Sequence, residues 1–416
     1  MKKIFYLIII IPIISLISII WSYENPEKVE RVKNYFKKNK KVEIKIDSDK
    51  TKNIIANSFS VVLSKEISIN AKTAFMVYPE NFSFFDKKKL IIYLQNGSVI
   101  KNLKQEKLNL PDNFTLQRNG GLKTVFHHNN KSYGLLTVYN NKCFYVSIFS
   151  FNDKKEYFKS KCLKGDPSFI DLNGIGSSNV HDSENIYVSI GTSEKQASKN
   201  AILAQDSNFV FGKILSIDKL ELENFKLNSS NSLKLKIFTK GHRNPQGLTI
   251  INNNIFSVEH GPKGGDELNK LIKDNNYGWP IVSYGTEYLV GADGKSYKTN
   301  HEYNGFVEPL FAFVPSIGIS AINNCPKVLK SYYNQPCLIA LSLRGNDLRE
   351  GRSIVIFLLN QKMNKVISIE KIKLANLRFR HFLTNEKNEL FEDNMGNIYV
   401  SADKNGLYKI KFQDFR

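Results

Sequence analysis

From about residue 71 to the C-terminus, short runs of β-branched and aromatic residues alternate with clusters of Asn, Asp and Gly. Such runs bury one face of a strand, and the turn residues end it. Three runs repeat nearly one phrase: Cys143-Phe144-Tyr145-Val146-Ser147-Ile148, Ile186-Tyr187-Val188-Ser189-Ile190 and Ile398-Tyr399-Val400-Ser401-Ala402. Looser copies are Ile255-Phe256-Ser257-Val258 and Cys337-Leu338-Ile339-Ala340. A phrase recurring about every 40–80 residues in an all-strand chain predicts a radial repeat. Propeller blades are four-stranded sheets around a central channel, and about 345 residues at roughly 55 per blade gives about six. A β-sandwich would need far fewer strands. The expected fold is an all-β, six-bladed propeller over residues 71–416, with the repeated phrases in equivalent inner or second strands.

The N-terminal part reads differently. Ile4 to Trp21 is apolar and follows Lys2 and Lys3. At about 18 residues it is at the short end for a membrane span. Its basic start fits a signal sequence, but Ile19 to Glu24 is a poor cleavage site. Residues 1–21 therefore read as an uncleaved anchor helix, the alternative being a signal that is cut to release a secreted protein. Residues 22–70 read as a charged stalk and lead-in, with Val29, Val32, Tyr35 and Phe36 at helical spacing. The expected location is the periplasm, tethered to the inner membrane.

A net charge of +20 raises the question of nucleic acid. The lysines are scattered, however, and no basic stripe is interleaved with aromatics, so nucleic acid is not expected as a partner. Cys143, Cys162, Cys325 and Cys337 form no CxxC pair, which argues against zinc. They leave two readings: local disulfides Cys143–Cys162 and Cys325–Cys337, or four buried thiols.

The chemistry concentrates in three polar blocks. Gly241-His242-Arg243-Asn244-Pro245-Gln246-Gly247 comes first, then Glu259-His260-Gly261-Pro262-Lys263-Gly264-Gly265-Asp266-Glu267, then Asn276-Tyr277-Gly278-Trp279-Pro280. Leu248 to Val258, between the first two, reads as two strands with a turn at Asn252–Asn254. The blocks thus fall on loops at strand ends, where a rigid sheet can hold them against a ligand. The plain alternative is a set of Gly/Pro turns with solvated charges.

These blocks resemble the glucose/sorbosone dehydrogenase family, the soluble glucose and aldose sugar dehydrogenases that use pyrroloquinoline quinone (PQQ). The likeness extends to Ala204-Gln205-Asp206, Phe211 to Asp218, Ser342-Leu343-Arg344-Gly345 and Arg378-Phe379-Arg380, over roughly residues 165–412. It implies six blades with the active site at one end of the channel. It also implies that Arg243, Asn244 and Gln246 line the PQQ site and that Arg378 and Arg380 are the family's paired arginines. Arg344 stands where the family usually has lysine. An arginine fork suits the carboxylates of PQQ. By the same resemblance, the Gly261 and Pro262 carbonyls hold a calcium ion that polarises the quinone, and Glu267 and Tyr277 lie near a second, structural calcium. The alternative for Asp266 and Glu267 is a carboxylate pair that caps backbone amides.

One departure matters. The family's base is a His in an HxGG-type motif, supported by an Asp about twenty residues on. Those positions fall here on Asn173 and Thr192. An amide cannot accept a proton near neutral pH, and losing a base costs about 10²–10⁴ in rate. Asp171 is the expected substitute; His181 is expected in a solvated hairpin turn. The readings are therefore a PQQ-dependent sugar or alcohol dehydrogenase with an altered base, or a non-catalytic propeller that keeps the cofactor scaffold as a binding module. A third is a calcium-stabilised propeller that binds neither PQQ nor sugar. The first implies a small sugar or alcohol as substrate and a periplasmic electron acceptor that the sequence does not name.

Overall fold

The computed structural model of the chain describes residues 26–47, 51–79, 84–163, 170–192, 200–226, 232–286, 297–344 and 352–416. Six antiparallel sheets make up most of it, and each is read from its innermost strand outward. Blade 1 is Thr73–Val77, Ile91–Leu94, Ser98–Lys101 and Lys104–Lys107. Blade 2 is Leu122–His128, Lys131–Asn140, Cys143–Ser150 and Lys155–Lys159. Blade 3 is Asn179–His181, Asn185–Ile190, Lys213–Asp218 and Lys236–Lys240. Blade 4 is Pro245–Ile251, Asn254–Glu259, Asp266–Leu271 and Phe311–Phe313. Blade 5 is Ile319–Asn324, Cys337–Ser342, Ser353–Leu359 and Val366–Lys373. Blade 6 runs Phe379–Phe382, Ile398–Ala402 and Gly406–Gln413, and its next strand is Ser60–Ile69 from the other end of the chain. Each innermost strand touches the next around a closed ring. The fold is the expected six-bladed propeller.

The closure differs from the sequence expectation. Ser60–Ile69 falls in the segment read as stalk and lead-in, yet it pairs with Gly406–Gln413 from Ser60↔Gln413 to Ser68↔Gly406. The pairing joins the two ends of the chain within one sheet and leaves no gap in the ring. Thr51–Ile55 and Ile44–Ile46 pair with the same strand. Farther upstream, helix Pro26–Asn39 confirms the helical spacing, but Val32, Tyr35 and Phe36 are exposed. Among the described residues, no helix is long and apolar enough to cross a membrane. The anchor expected at residues 4–21 lies outside the described residues.

The core lies between sheets rather than within one. Phe126, Val146 and Ile148 of blade 2 pack with Ile186, Val188 and Ile190 of blade 3. Ile339, Leu341 and Ile356 of blade 5 pack with Ile398, Val400 and Phe412 of blade 6, and with Phe59, Val61 and Leu63. Outer strands bury little; Val366–Lys373 is mostly exposed or half-exposed. This is why the sequence signal is strongest in the middle strands of each blade.

The repeated phrase has a local cause. Tyr187 donates to Asp182 at 2.8 Å and Tyr399 to Asp393 at 2.7 Å, each tying a second strand to its preceding turn. Four of the five copies are second strands. Cys143–Ser150 is the third strand of its blade, so its phrase is shifted by one strand from the expected position. Both disulfides are formed, Cys143–Cys162 and Cys325–Cys337, in place of four thiols.

Candidate active site

Five of the six innermost strands slip register near their start, between Thr73 and Phe75, Leu122 and Thr124, Pro245 and Gly247, Ile319 and Ala321, and Phe379 and Phe382. A bulge frees one side chain from the pleat and re-aims it. The bulged residues include Lys123, Gln246, Arg380 and His381. All four line one cleft at the channel mouth, together with Lys72, Gln95, Asn173 and Gly176. The sheets thus deliver polar side chains from blades 1, 2, 4 and 6 to one point.

Blade 4 builds the next wall. Its first two strands pair as expected, and the turn is made by Asn252 and Asn253 with φ of 45° and 61°. Asn244 Oδ1 accepts from Gly176 N at 2.8 Å and from Gln246 Nε2 at 2.7 Å. It thereby locks the turn that carries Asn173 against blade 4. Gly176 is needed for that approach: a Cβ there would lie 2.2 Å from both Asn244 Oδ1 and Gln246 Nε2. The Arg243 guanidinium donates to the Gly261 carbonyl at 2.8 Å and the His260 carbonyl at 3.1 Å, and lies over the Trp279 ring at 5.3 Å.

Three of the expected arginines lie within electrostatic reach of one imidazole. His260 is driven to a pKa of about 4 by burial and, although Asp266 opposes this, by the positive charges of Arg243, Arg380 and Arg344. Three blades therefore place cations around one imidazole. Arg378 and Arg380 both reach Asp403, whose side chain is 3% exposed: Arg380 at 2.5 Å through Nε and Nη2, Arg378 at 3.3 Å. Burial lowers the Lys72 pKa, and Arg380 lowers it further. Burial takes Lys123 down to about 7, with Arg380 and Lys72 adding to the effect and Asp171 opposing it. Asp403 neutralises part of this charge, and the remaining cations favour an anionic ligand in the cleft.

Other expected residues take different roles. Asn173 is exposed in the cleft, on the short 3₁₀ turn Leu172–Gly174. Thr192 does not face it. Thr192 is fully buried, and its N and Oγ1 both donate to the Arg243 carbonyl, at 2.8 and 3.0 Å. Asp171 is the cap of the 3₁₀ turn: its Oδ1 accepts from Asn173 N at 2.9 Å and Asn119 Nδ2 at 3.1 Å. Its Oδ1 holds the turn. His181 is buried within a strand rather than solvated, and burial drives its pKa to about 3.

The acidic block also divides. Asp266 accepts from the backbone N–H groups of Gly261, Ile317, Gly318 and Ile319, at 2.6–3.1 Å. It is the amide-capping carboxylate of the plainer reading. Glu267 lies 3.5 Å from His301 and accepts from Asn269 at 3.1 Å. Burial pushes the Glu267 carboxyl up. Burial opposes the His301 imidazolium, yet the Glu267 carboxylate holds His301 above its ordinary value. The Tyr277 hydroxyl donates to the Lys270 carbonyl at 2.6 Å and accepts from Ile272 N at 2.9 Å, while Tyr277 and Glu267 line one small pocket together with Glu259, His260 and Gly261. Among the described residues, no group of three or more His, Cys, Asp or Glu side chains is arranged to hold a metal ion.

Lys72, Lys123, Asp403 and His381 were not legible as site residues. Asp403 carries a faint signal, because it directly follows a copy of the repeated phrase. The lysines carry none in so lysine-rich a chain.

The fold and parts of the sequence have counterparts. The apo-form soluble aldose sugar dehydrogenase of Escherichia coli superposes with a TM-score of 0.59 at 18% identity, covering 89% of this chain and 99% of that one. A PQQ-bound aldose sugar dehydrogenase of Streptomyces coelicolor gives 0.53 at 14% identity, covering 89% and 98%. In sequence, the aldose sugar dehydrogenase of Escherichia coli K12 is 36% identical over 89 residues, 20% of this chain and 24% of that protein. The quinoprotein glucose dehydrogenase B of Acinetobacter calcoaceticus is 41% identical over 81 residues, 19% of this chain and 17% of that protein. The matched segments thus span a quarter or less of these two relatives. The model of the glucose/sorbosone dehydrogenase family matches residues 76–350, more than half of the chain, and the protein belongs to that family.

Proposed function

We propose that this protein is a PQQ-dependent sugar or alcohol dehydrogenase. The observation that carries the reading is the cleft that gathers Lys72, Gln246 and Arg380 from different blades, with Arg378 and Arg380 held together by Asp403, and with Arg243 on the neighbouring wall. PQQ presents three carboxylates, and this set of cations fits them. Arg378 and Arg380 are pre-aimed by Asp403, and Gln246 is fixed by Asn244. Calcium would be held by the Gly261 and Pro262 carbonyls. The Gly261 oxygen already accepts from Arg243, so the ion would share it through the second lone pair. When bound, PQQ supplies a two-electron acceptor, and calcium would make its carbonyl more electrophilic. Blades 1, 2 and 3 then face the substrate, with Asn173 and Gln95 as hydrogen-bonding groups at the mouth.

Asn173 favours a second reading. Its amide cannot take a proton, which is what a non-catalytic binding module would tolerate. The two separate in one experiment. The full chain is titrated with PQQ and Ca²⁺, binding is followed by absorbance, and dye reduction is screened over aldoses and alcohols. Binding with turnover supports the dehydrogenase. Binding without turnover on any alcohol supports the binding module, and no binding overturns both.

A periplasmic location with a tether at residues 4–21 belongs to the same proposal. Two disulfides support it, since such bonds persist outside the reducing cytosol. Protease treatment of spheroplasts should remove the propeller; full protection overturns this location.

A further inference from the structure

We propose that Lys123 is the catalytic base of this site, accepting the hydroxyl proton of a sugar or alcohol bound over Asn173. This rests on the dehydrogenase reading above. Lys123 is the bulged residue of the innermost strand of blade 2, the place that Gln246 and Arg380 hold in blades 4 and 6. The bulge turns its side chain into the cleft, where Nζ donates to the Leu172 carbonyl at 2.5 Å and the Asn119 carbonyl at 3.2 Å. Leu172 directly precedes Asn173, so the amine sits beside the residue that faces the cleft.

Two carbonyl acceptors leave Nζ a third direction that opens on the cleft. In the neutral form that direction carries the lone pair. Lys213 shows the contrast: it is fully buried, and its Nζ donates to three carbonyls, those of Leu203, Ala204 and Phe211. Burial takes Lys213 down to about 7 as well, but its three acceptors leave no direction over for a substrate. Around Lys123, burial, Arg380 and Lys72 favour the neutral form and Asp171 favours the charged one, with the balance near pH 7. A base works best when its pKa lies near the working pH.

The other candidates in the cleft are weaker. Asp171 is anchored as the cap of its turn by two bonds to Oδ1, from Asn173 N and Asn119 Nδ2, which fixes its carboxylate in place. His381 lines the cleft, but burial and Arg380 hold it near 3, too weak a base to drive deprotonation of an alcohol. In the step, the substrate O–H bond breaks and a new N–H bond forms on the lone pair of Lys123 Nζ. The O–H electron pair becomes the second bond of C=O, and the C–H pair leaves with hydrogen as hydride to a quinone acceptor. The ammonium then returns its proton to water at the cleft mouth.

The test uses the unmodified full chain and two variants. Acetylation of Lys123 by acetic anhydride, read by mass spectrometry against pH, should show a midpoint near 7; an ordinary lysine shows about 10.4. Lys123→Met and Lys123→Arg should bind PQQ within a few-fold of the unmodified protein, while dye reduction falls by about 10²–10⁴ in both. A labelling midpoint near 10, or full turnover by Lys123→Arg, overturns the base role. So does loss of PQQ binding in Lys123→Met with retention in Lys123→Arg, which would make Lys123 a carboxylate anchor. If the unmodified protein binds no PQQ, the base role falls with the dehydrogenase reading. The labelling midpoint then still tells whether the amine is neutral.

Discussion

Arg380 closes a two-point fork on Asp403, with Nε and Nη2 each 2.5 Å from a carboxylate oxygen, and Arg378 reaches the same carboxylate at 3.3 Å. One buried acid thus fixes two of the cations that the sequence motif placed at the site. Burial works to raise Asp403, but the Arg380 and Arg378 contacts win and hold it below its ordinary value. Because its folded pKa is depressed, its contribution to stability is present above the unfolded value of about 3.9 and is lost as pH falls through the folded value.

Asp403→Asn should therefore cost about 2 kcal/mol at neutral pH. Urea unfolding at a series of pH values would measure it. The gap from the unmodified protein should be constant from pH 7 down to about 5 and should close below about 4. A gap that widens on acidification would show that the pair does not hold these arginines.

Asp266→Asn should also destabilise, by about 3 kcal/mol, because one of the two acceptor oxygens facing four backbone N–H groups becomes a donor. The loss should be the same in EDTA and in Ca²⁺. A loss seen only in Ca²⁺ would make Asp266 a metal ligand instead of an amide cap.

Thr192 is buried against the Arg243 carbonyl at the position where the family motif has an Asp. Thr192→Asp would place a carboxylate against the Arg243 carbonyl at a site with no solvent access. It should cost about 3 kcal/mol or more, whereas Thr192→Val should cost about 1 kcal/mol. Thermal melts of both variants check this. If Thr192→Asp is stable and, combined with Asn173→His, raises dehydrogenase activity, then the two positions form the family's base pair after all.

The disulfides close short loops, with sequence separations of 19 and 12. Removing either should cost about 3 kcal/mol. Cys143→Ser/Cys162→Ser and Cys325→Ser/Cys337→Ser double variants, compared with the reduced protein, would measure each. Reduction that leaves the melting temperature unchanged would mean the bonds do not form in solution.

The sequence by itself determined the propeller, because strand patterning is local and recurs in every blade. It determined the polar blocks of blade 4 and the paired arginines for the same reason, since each is a contiguous motif. It also identified Asn173 as the polar group where a base would be expected. Only the tertiary structure decided the closure of the ring, because Ser60 and Gln413 are far apart in the chain and no local pattern joins them. Only it decided where side chains with several possible partners point: Thr192 to the Arg243 carbonyl, Tyr277 to Lys270 and Ile272, Asp171 to its own turn. Lys123 is the extreme case. Nothing distinguishes one lysine among many in the sequence. A bulge in the innermost strand of blade 2, the nearby Asn119 carbonyl and the Leu172 carbonyl on a loop 49 residues away set its position, and the last is in place only when the blades assemble.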